Sequence, residues 1–317
     1  MRNSAGAEWR TLQLYRLLGP RANVTVWSDE APDPRMAALL PIRRIRMHRL
    51  QLPWTGTLVM VGVYHRYGRW IHLARPSRIV LIYNTDDPAL LRRRLARAAA
   101  WRRVPVEVVF ASTWLRDSVG VAGPVQPSPI DLARFYPSAV ARDGQPFTVG
   151  RLSRDVPDKH HAGDPGLYRR LASAGMSVRI LGGKVLRAEL SGDAGVTLLA
   201  AGVEEAGAFL RGLDCFLYRT HAGYREPSGR VVQEAMACGV PVVCAAGGGY
   251  EELIEHGRNG FLFGSDDEAL AIVARLRAEP ALRASIGAAG RRTIEALFSP
   301  EALARISDFY LSGGGQR

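Results

Sequence analysis

Cysteine is scarce. The 317 residues hold three, Cys215, Cys238 and Cys244, an odd number without metal-ligand spacing or a partner histidine pattern. Reduced thiols in a cytoplasmic protein are the expected state. Lysine is scarcer still: Lys159 and Lys184 are two of 42 basic residues, the rest being arginine, a bias that codon usage can produce. Arginine richness alone therefore points to no partner. Long apolar runs are missing as well. The longest uncharged one, Leu50 to Tyr64, contains Pro53 and two glycines and falls short of the ~20 residues a span needs. No basic-then-apolar leader opens the chain, so neither export nor a membrane span is expected. Repeats and long low-complexity tracts are absent, which leaves disorder to the ends.

The composition, 47% hydrophobic and 23% charged, is that of a soluble globular protein, and the length exceeds the usual single domain. Two domains, each with its own core and a cleft between them, are expected. The charge divides the same way. Residues 1–142 carry 22 arginines, no lysine and 9 acidic residues, a net +13, whereas residues 143–317 carry a net −1. Runs such as Arg43, Arg44, Arg46, Arg49 and Arg92, Arg93, Arg94, Arg97, Arg102, Arg103 could meet bilayer headgroups, a lipid-linked phosphate or nucleic acid, or could be solvated helix faces.

Short β-branched runs recur between helical stretches. They fall at residues 23–27, 58–63, 78–83 and 107–111, and again at 147–149, 178–182, 196–199, 213–218, 240–244 and 261–263. This alternation predicts parallel sheets covered on both faces. The Pro-rich stretch 124–146 separates two sets of strands, giving domains at 1–142 and 143–299. In such sheets ligands sit beyond the carboxyl ends of the strands.

The most informative segment runs from Tyr224 to Cys244, YREPSGRVVQEAMACGVPVVC, and reads as loop, helix, turn and buried strand. Pro227 favours an extended Glu226 and a helix start, and Ser228 is a good N-cap. Glu226 is thus expected just ahead of a helix N-terminus whose free N–H groups, with Gly229 permitting close approach, suit a phosphate or a sugar hydroxyl. Glu234 lies on the helix among Val231, Val232, Ala235 and Met236, where a carboxylate needs donors. Sugar or ribose hydroxyls could supply them.

This composite string resembles the Glu-x7-Glu motif of the retaining glycosyltransferases of family 4, whose GT-B fold comprises two Rossmann-like doubly wound domains facing across a cleft. The resemblance implies that Glu226 contacts the donor sugar and Glu234 the nucleotide ribose. Val149-Gly-Arg-Leu-Ser153 resembles the first strand and loop of the family's donor domain. By that likeness Arg151 contacts the diphosphate, Lys159 is the candidate for the lysine that follows, and Gly150, Ser228, Gly229, Arg230 and Gly248 line the donor site. Gly6, in Ser4-Ala-Gly-Ala-Glu-Trp-Arg10, matches a glycine-rich loop that enters the first helix. The family has a central strand before that loop, so the first domain is expected to be short at its N-terminus.

Asn84 stands near the strand end where many members have a sugar-reaching histidine, and is expected to bond a hydroxyl. His65 is placed on the acceptor side, with a structural role as the alternative. The pair Asp86 and Asp87 resembles the metal-binding acidic pairs of the other large glycosyltransferase fold, a reading rejected because the surroundings are GT-B. The segment 300–317 is expected to pack back on the first domain.

The implied activity is transfer of a sugar from a nucleotide-sugar donor to a lipid-linked, polysaccharide or other acceptor, with retention, without a metal or other cofactor. No specific nucleic-acid partner is expected, and the basic N-terminal half suits an anionic membrane surface. The rivals are a nucleotide-sugar epimerase or phosphorylase on the same scaffold, and a catalytically decayed binder of membranes or anionic polymers.

Overall fold

The computed structural model describes residues 6–64, 68–102, 104–139 and 144–312. They form two compact units, residues 1–129 with 300–317, and residues 130–299.

In unit 1, helix α1 (Gly6–Leu18) leads to strand β1 (Val26–Ser28), helix α2 (Pro34–Leu39) and strand β2 (Ile42–Arg44), which pairs in parallel with β1. A separate parallel sheet, in the order β3-β4-β5, follows from β3 (Thr55–Val61), β4 (Arg75–Tyr83) and β5 (Val106–Phe110). Helix α3 (Pro88–Arg102) joins β4 to β5, and α4 (Thr113–Val119) follows β5. Asp87 starts α3, its Oδ1 accepting the Leu90 N–H at 2.9 Å. Among the described residues no strand precedes α1.

The period-2 alternation of β4 explains why this short sheet is covered on both faces. Ile79, Leu81 and Tyr83 join one core with Leu91 and Leu115, while Val80 and Ile82 join Val109, Leu14, Leu18 and Tyr310. Tyr310 belongs to helix α11 (Pro300–Leu311), so the last helix completes the first unit's core. Arg78 fastens it there. Its guanidinium pairs with both oxygens of Glu107 at 2.7 Å, and its Nη1 donates to the carbonyls of Phe309 and Ser312 at the end of α11, at 2.6 and 3.0 Å. A cation at a helix C-terminus meets the negative end of the dipole. Arg78→Ala is expected to lower the unfolding free energy by about 2–3 kcal/mol, since the Glu107 side of the pair is partly hydrated, and a lower urea midpoint reads it. Replacing Glu107 in the same background should then add little.

Unit 2 is one parallel sheet in the order β11-β10-β9-β6-β7-β8. Its strands are β6 (Thr148–Leu152), β7 (Ser177–Leu181), β8 (Val196–Leu199), β9 (Cys215–Tyr218), β10 (Val242–Ala245) and β11 (Phe261–Phe263). Helices α5 (Asp164–Ser173), α6 (Arg187–Leu190), α7 (Ala206–Arg211) and α8 (Arg230–Ala237) connect them, and α9 (Asp266–Ala278) and α10 (Pro280–Leu297) follow. The chain winds outward from β6 to β8, then returns to the other side of β6 as β9. The reversal between β6 and β9 is the topological switch point of the sheet.

Of the expected strands, all ten are present within a few residues, and β2 was not anticipated. The unit boundary falls at 129/130 rather than at 142/143. The reason is visible in the connecting stretch, which is fastened to unit 2. Arg134 pairs with Glu205 at 2.6 Å, and the Phe135 carbonyl accepts from Arg291 Nη1 at 2.7 Å.

Candidate active site

The loops that leave β6 and β9 meet at the switch point. The Asp158 carbonyl accepts the His221 N–H at 3.2 Å, tying one loop to the other. Glu226 ends the second loop. Its Oε2 accepts from Lys159 Nζ of the first loop at 2.5 Å and from the Tyr218 hydroxyl, at the end of β9, at 2.7 Å. Lys159 also donates to the Tyr224 hydroxyl at 3.2 Å and lies 4.3 Å over the same ring. The ammonium is held on three sides. Burial draws its pKa below the usual lysine value, with Glu226 pulling the other way.

The backbone of Glu226 is fixed too, its carbonyl accepting the Gly249 N–H at 2.7 Å from the loop after β10. A Cβ at Gly249 would lie 2.1 Å from the Pro227 carbonyl oxygen, so the two loops touch backbone to backbone. Tyr250 fills the space beside them. Its ring stands edge-on to Tyr218 at 5.8 Å, and its hydroxyl donates to the Ala245 carbonyl at 2.7 Å. The loop after β10 therefore holds Tyr218, and through it the Glu226 carboxylate.

Several expected residues take other roles. The N-cap of α8 is Gly229, at φ +64°, not Ser228, and no side chain caps the helix. Ser228 is drawn off by the contact between residues 227–228 and Gly249, and its carbonyl accepts from Gln233 Nε2 at 3.3 Å. Gly229 and Gly248 both lie against the Tyr250 ring, where a Cβ would come within 2.5 and 2.3 Å, so ring packing alone calls for glycine at both. Gly150, in mid-strand, makes room for Leu213 in the core, at 2.3 Å from a built Cβ. Gly6 opens α1 with nothing near a built Cβ, so packing does not require glycine there.

Glu234 is buried on α8 as the periodicity predicts, but its donor comes from the chain itself: Arg230 Nε reaches Oε1 at 2.9 Å, one helical turn away. Burial raises the Glu234 pKa against the pull of Arg230.

Arg151 lies a layer below the loops rather than at a ligand-facing surface. It is fully buried at the end of β6, its guanidinium 4.9 Å over the Tyr218 ring. Its Nη1 donates to the Arg219 carbonyl and, at 3.3 Å, to Asp164 Oδ2. Asp164 Oδ1 in turn accepts from Arg219 Nε at 2.6 Å, and Arg219 Nη1 from the other side pairs with Asp266. This set, two arginines and Asp164 buried and Asp266 part-exposed, fixes the root of the β9 loop, which makes Arg151 a positioning residue. Asp164, Arg219, Tyr218 and Tyr224 carried no sequence signal of a role; only the place of the two tyrosines beside the Glu226 string hinted at one.

His160, next to Lys159, is also buried. Its Nε2–H donates to the Gly182 carbonyl at 2.9 Å, which leaves Nδ1 unprotonated. Burial, then Arg151, push its pKa from 6.5 down to about 4. The folded pKa lies below the unfolded one, so the unfolded chain takes the proton first. Stability from neutral His160 is fully present above pH 6.5 and lost as pH falls towards about 4, by about 3 kcal/mol at most. Urea midpoints measured across that window should fall, and His160→Gln, which does not titrate, should flatten the fall.

In unit 1 Asn84 follows the carboxyl end of β4, its Oδ1 3.4 Å from a Cβ built on Gly62 of the neighbouring β3 loop. It stands at a strand end, as expected. Asp87, beside it, caps α3. His65 lies outside the described residues. The three cysteines are buried and unpaired, and burial raises each thiol pKa. Among the described residues no helix is long and apolar enough to cross a membrane.

Two α/β units built on parallel sheets, the second with a lysine–carboxylate pair beside a helix N-terminus at its switch point, fit the two Rossmann-like domains of the GT-B class of glycosyltransferase. Comparison with known proteins gives the family. Residues 186–293 match the family described as "Glycosyl transferases group 1". The chain is 30% identical over 294 residues to a GDP-mannose-dependent alpha-(1-6)-phosphatidylinositol monomannoside mannosyltransferase of Mycolicibacterium smegmatis, covering 82% of this chain and 75% of that one. It is 32% identical over 218 residues to a GDP-mannose-dependent alpha-mannosyltransferase of Mycobacterium tuberculosis; that match covers 61% of this chain and spans 56% of the relative's length. Among solved structures, HepE of Anabaena in complex with UDP-glucose superposes with a TM-score of 0.74 at 18% identity, covering 98% of this chain and 96% of that one. WaaG, a glycosyltransferase involved in lipopolysaccharide biosynthesis, superposes at 0.65 with 14% identity, covering 99% and 97%. The chain belongs to the group 1, family 4-type glycosyltransferases, which move a sugar from a nucleotide-sugar donor to an acceptor.

Proposed function

We propose that the chain transfers mannose from GDP-mannose to a lipid-linked acceptor at an anionic membrane face, with retention at the anomeric carbon and without a metal. The donor choice is supported by the relatives at 30% and 32% identity, both named as GDP-mannose-dependent. The acceptor class is supported by the phosphatidylinositol monomannoside in one of those names, together with the net +13 of residues 1–142.

The observation that carries the chemistry is the Lys159–Glu226 pair at the switch point. In this reading Lys159 moves its cation onto the diphosphate as the bond to the sugar breaks, a charge-neutralising task otherwise given to a metal. Glu226, held by Lys159 and steered by Tyr218, accepts a hydrogen bond from a donor-sugar hydroxyl. Tyr218 and Tyr224 hold the two charges in register. The N-terminal end of α8 turns its positive dipole end to a phosphate or sugar hydroxyl, and Glu234 with Arg230 closes the ribose side. By the family likeness Asn84 bonds a hydroxyl, Gly6 serves the donor and His65 the acceptor. A donor phosphate oxygen takes the acceptor's proton.

Incubation with GDP-mannose and a phosphatidylinositol mannoside, with and without a metal chelator, tests this. Acceptor-dependent release of GDP that survives chelation, with an α-linked product by NMR, is expected. A sugar epimerised while still on its nucleotide, or phosphate-dependent cleavage of the donor, would favour the epimerase or phosphorylase; no turnover with vesicle binding retained would favour the decayed binder.

A further inference from the structure

Between Asp33 and Asp86 the sequence holds nine arginines and no acidic residue. Within that stretch, the segment joining β2 to β3 is a tight loop that turns large apolar side chains outward. Arg46 and Gln51 close it with reciprocal backbone bonds, at 2.9 and 3.1 Å. Ile45, Met47 and the buried Leu52 anchor its stem in the core of unit 1. Its tip does the opposite: Leu50 is 59% exposed and Trp54 45%.

Leu50 is also the one non-glycine residue with positive φ among the described residues, at 53°. Glycine or asparagine would adopt that conformation more readily. The Trp54 indole N–H donates to the Leu50 carbonyl at 3.2 Å, which ties the ring to the tip. The Trp54 carbonyl accepts the Arg75 N–H at 2.6 Å, placing Arg75, and the exposed Leu73 two residues before it, beside the loop. Arg43, Arg44 and Arg49 are exposed around it. Folding gains nothing from a strained, exposed leucine beside an exposed tryptophan; an apolar tip ringed by cations suits a partner that is apolar inside and anionic at its face.

We infer that the loop of residues 46–54 docks the chain on an anionic lipid bilayer, with Leu50 and Trp54 entering the headgroup boundary and Arg43, Arg44, Arg49 and Arg75 meeting lipid phosphates. The inference rests on the proposed membrane setting and names the element that makes the contact. A bilayer fits better than a nucleic acid. Arginine serves both, but Leu50 offers a base neither a hydrogen bond nor a stacking face.

The test uses the full chain and vesicles without acceptor, of phosphatidylcholine alone or with equimolar phosphatidylglycerol. Cosedimentation with the mixed vesicles only is expected. Leu50→Gly should weaken it while raising the thermal midpoint, a pair of opposite signs that loss of structure does not produce. The triple variant Arg43→Gln, Arg44→Gln, Arg49→Gln should weaken it on the order of a hundredfold, at about fivefold per arginine. Removing three exposed charges from unit 2, Arg170, Arg258 and Arg275, should leave it unchanged. Equal binding to neutral vesicles, or insensitivity to Leu50→Gly and to the arginine triple, overturns the inference. So does tighter, equally sensitive binding to polyuridylate, which would make the loop a nucleic-acid surface. GDP-mannose binding is measured on the same samples. Its loss with vesicle binding intact overturns the proposed donor and leaves the docking loop standing; the converse overturns the loop alone.

Discussion

Replacing Glu226 with glutamine is expected to lower the rate of sugar transfer roughly 10²–10³-fold while leaving GDP affinity within a few fold. The carboxylate is the meeting point of the site: its Oε2 receives Lys159 and Tyr218, and its backbone is fixed by Gly249. Glutamine keeps the size and an acceptor oxygen, so the loop retains its shape. What goes is the negative charge that sets the position of the Lys159 ammonium and meets the sugar. A charge used in the transition state appears in kcat more than in KM, and the nucleotide itself should barely register the change. Steady-state rates with donor varied at saturating acceptor separate the two. A proportional rise in KM with kcat unchanged would mean that Glu226 only binds. Tyr218→Phe removes one of the two donors to Oε2 and should cost less, about tenfold.

Asp164→Ala is expected to be the most destabilising single change in unit 2, by about 3–5 kcal/mol. Asp164 is 1% exposed and stands between Arg151 and Arg219, themselves 0% and 6% exposed. Its removal leaves two buried guanidinium groups facing each other with only Asp266 in reach of one. Urea unfolding should show a lower midpoint at an unchanged slope. Asp164→Asn, which keeps the shape and one acceptor, should fall between. Because the Arg219 carbonyl is held by Arg151, the β9 loop loosens with it, and transfer should drop even where the variant remains folded. A stability change under about 1 kcal/mol would show that the network is hydrated and dispensable.

Much of this was legible in the sequence, for identifiable reasons. Buried parallel strands write themselves as runs of Val, Ile and Leu, so β8 and β11 match the expected residues and the others shift by a few. The exception, β2, is three residues of which two are exposed arginines, and no apolar signal marks it. Glu226 was found because proline, glycine and an amphipathic helix surround it in a fixed order.

What escaped were long-range pairings. Ser228 has the chemistry of an N-cap, but the neighbouring loop takes up its backbone and Gly229 caps the helix instead. Arg151 looks like a ligand-facing arginine, yet it is spent on Asp164, thirteen residues on, and on Arg219, sixty-eight residues on. The donor for Glu234 was sought in a substrate although Arg230 stands one turn before it. Glycines show a similar ambiguity: the need at Gly229 and Gly248 comes from the Tyr250 ring, a contact that composition does not announce.

The central claim is that the switch-point loops of unit 2 hold a nucleoside diphosphate sugar. The most direct test is a thermal-shift titration of the wild type and Lys159→Gln against GDP, UDP, ADP and their sugars. GDP and GDP-mannose at ~100 times their dissociation constants should add ~2.7 kcal/mol to the wild type, and at the same concentrations much less to Lys159→Gln. No shift with any nucleotide, or an equal shift in both proteins, would contradict it.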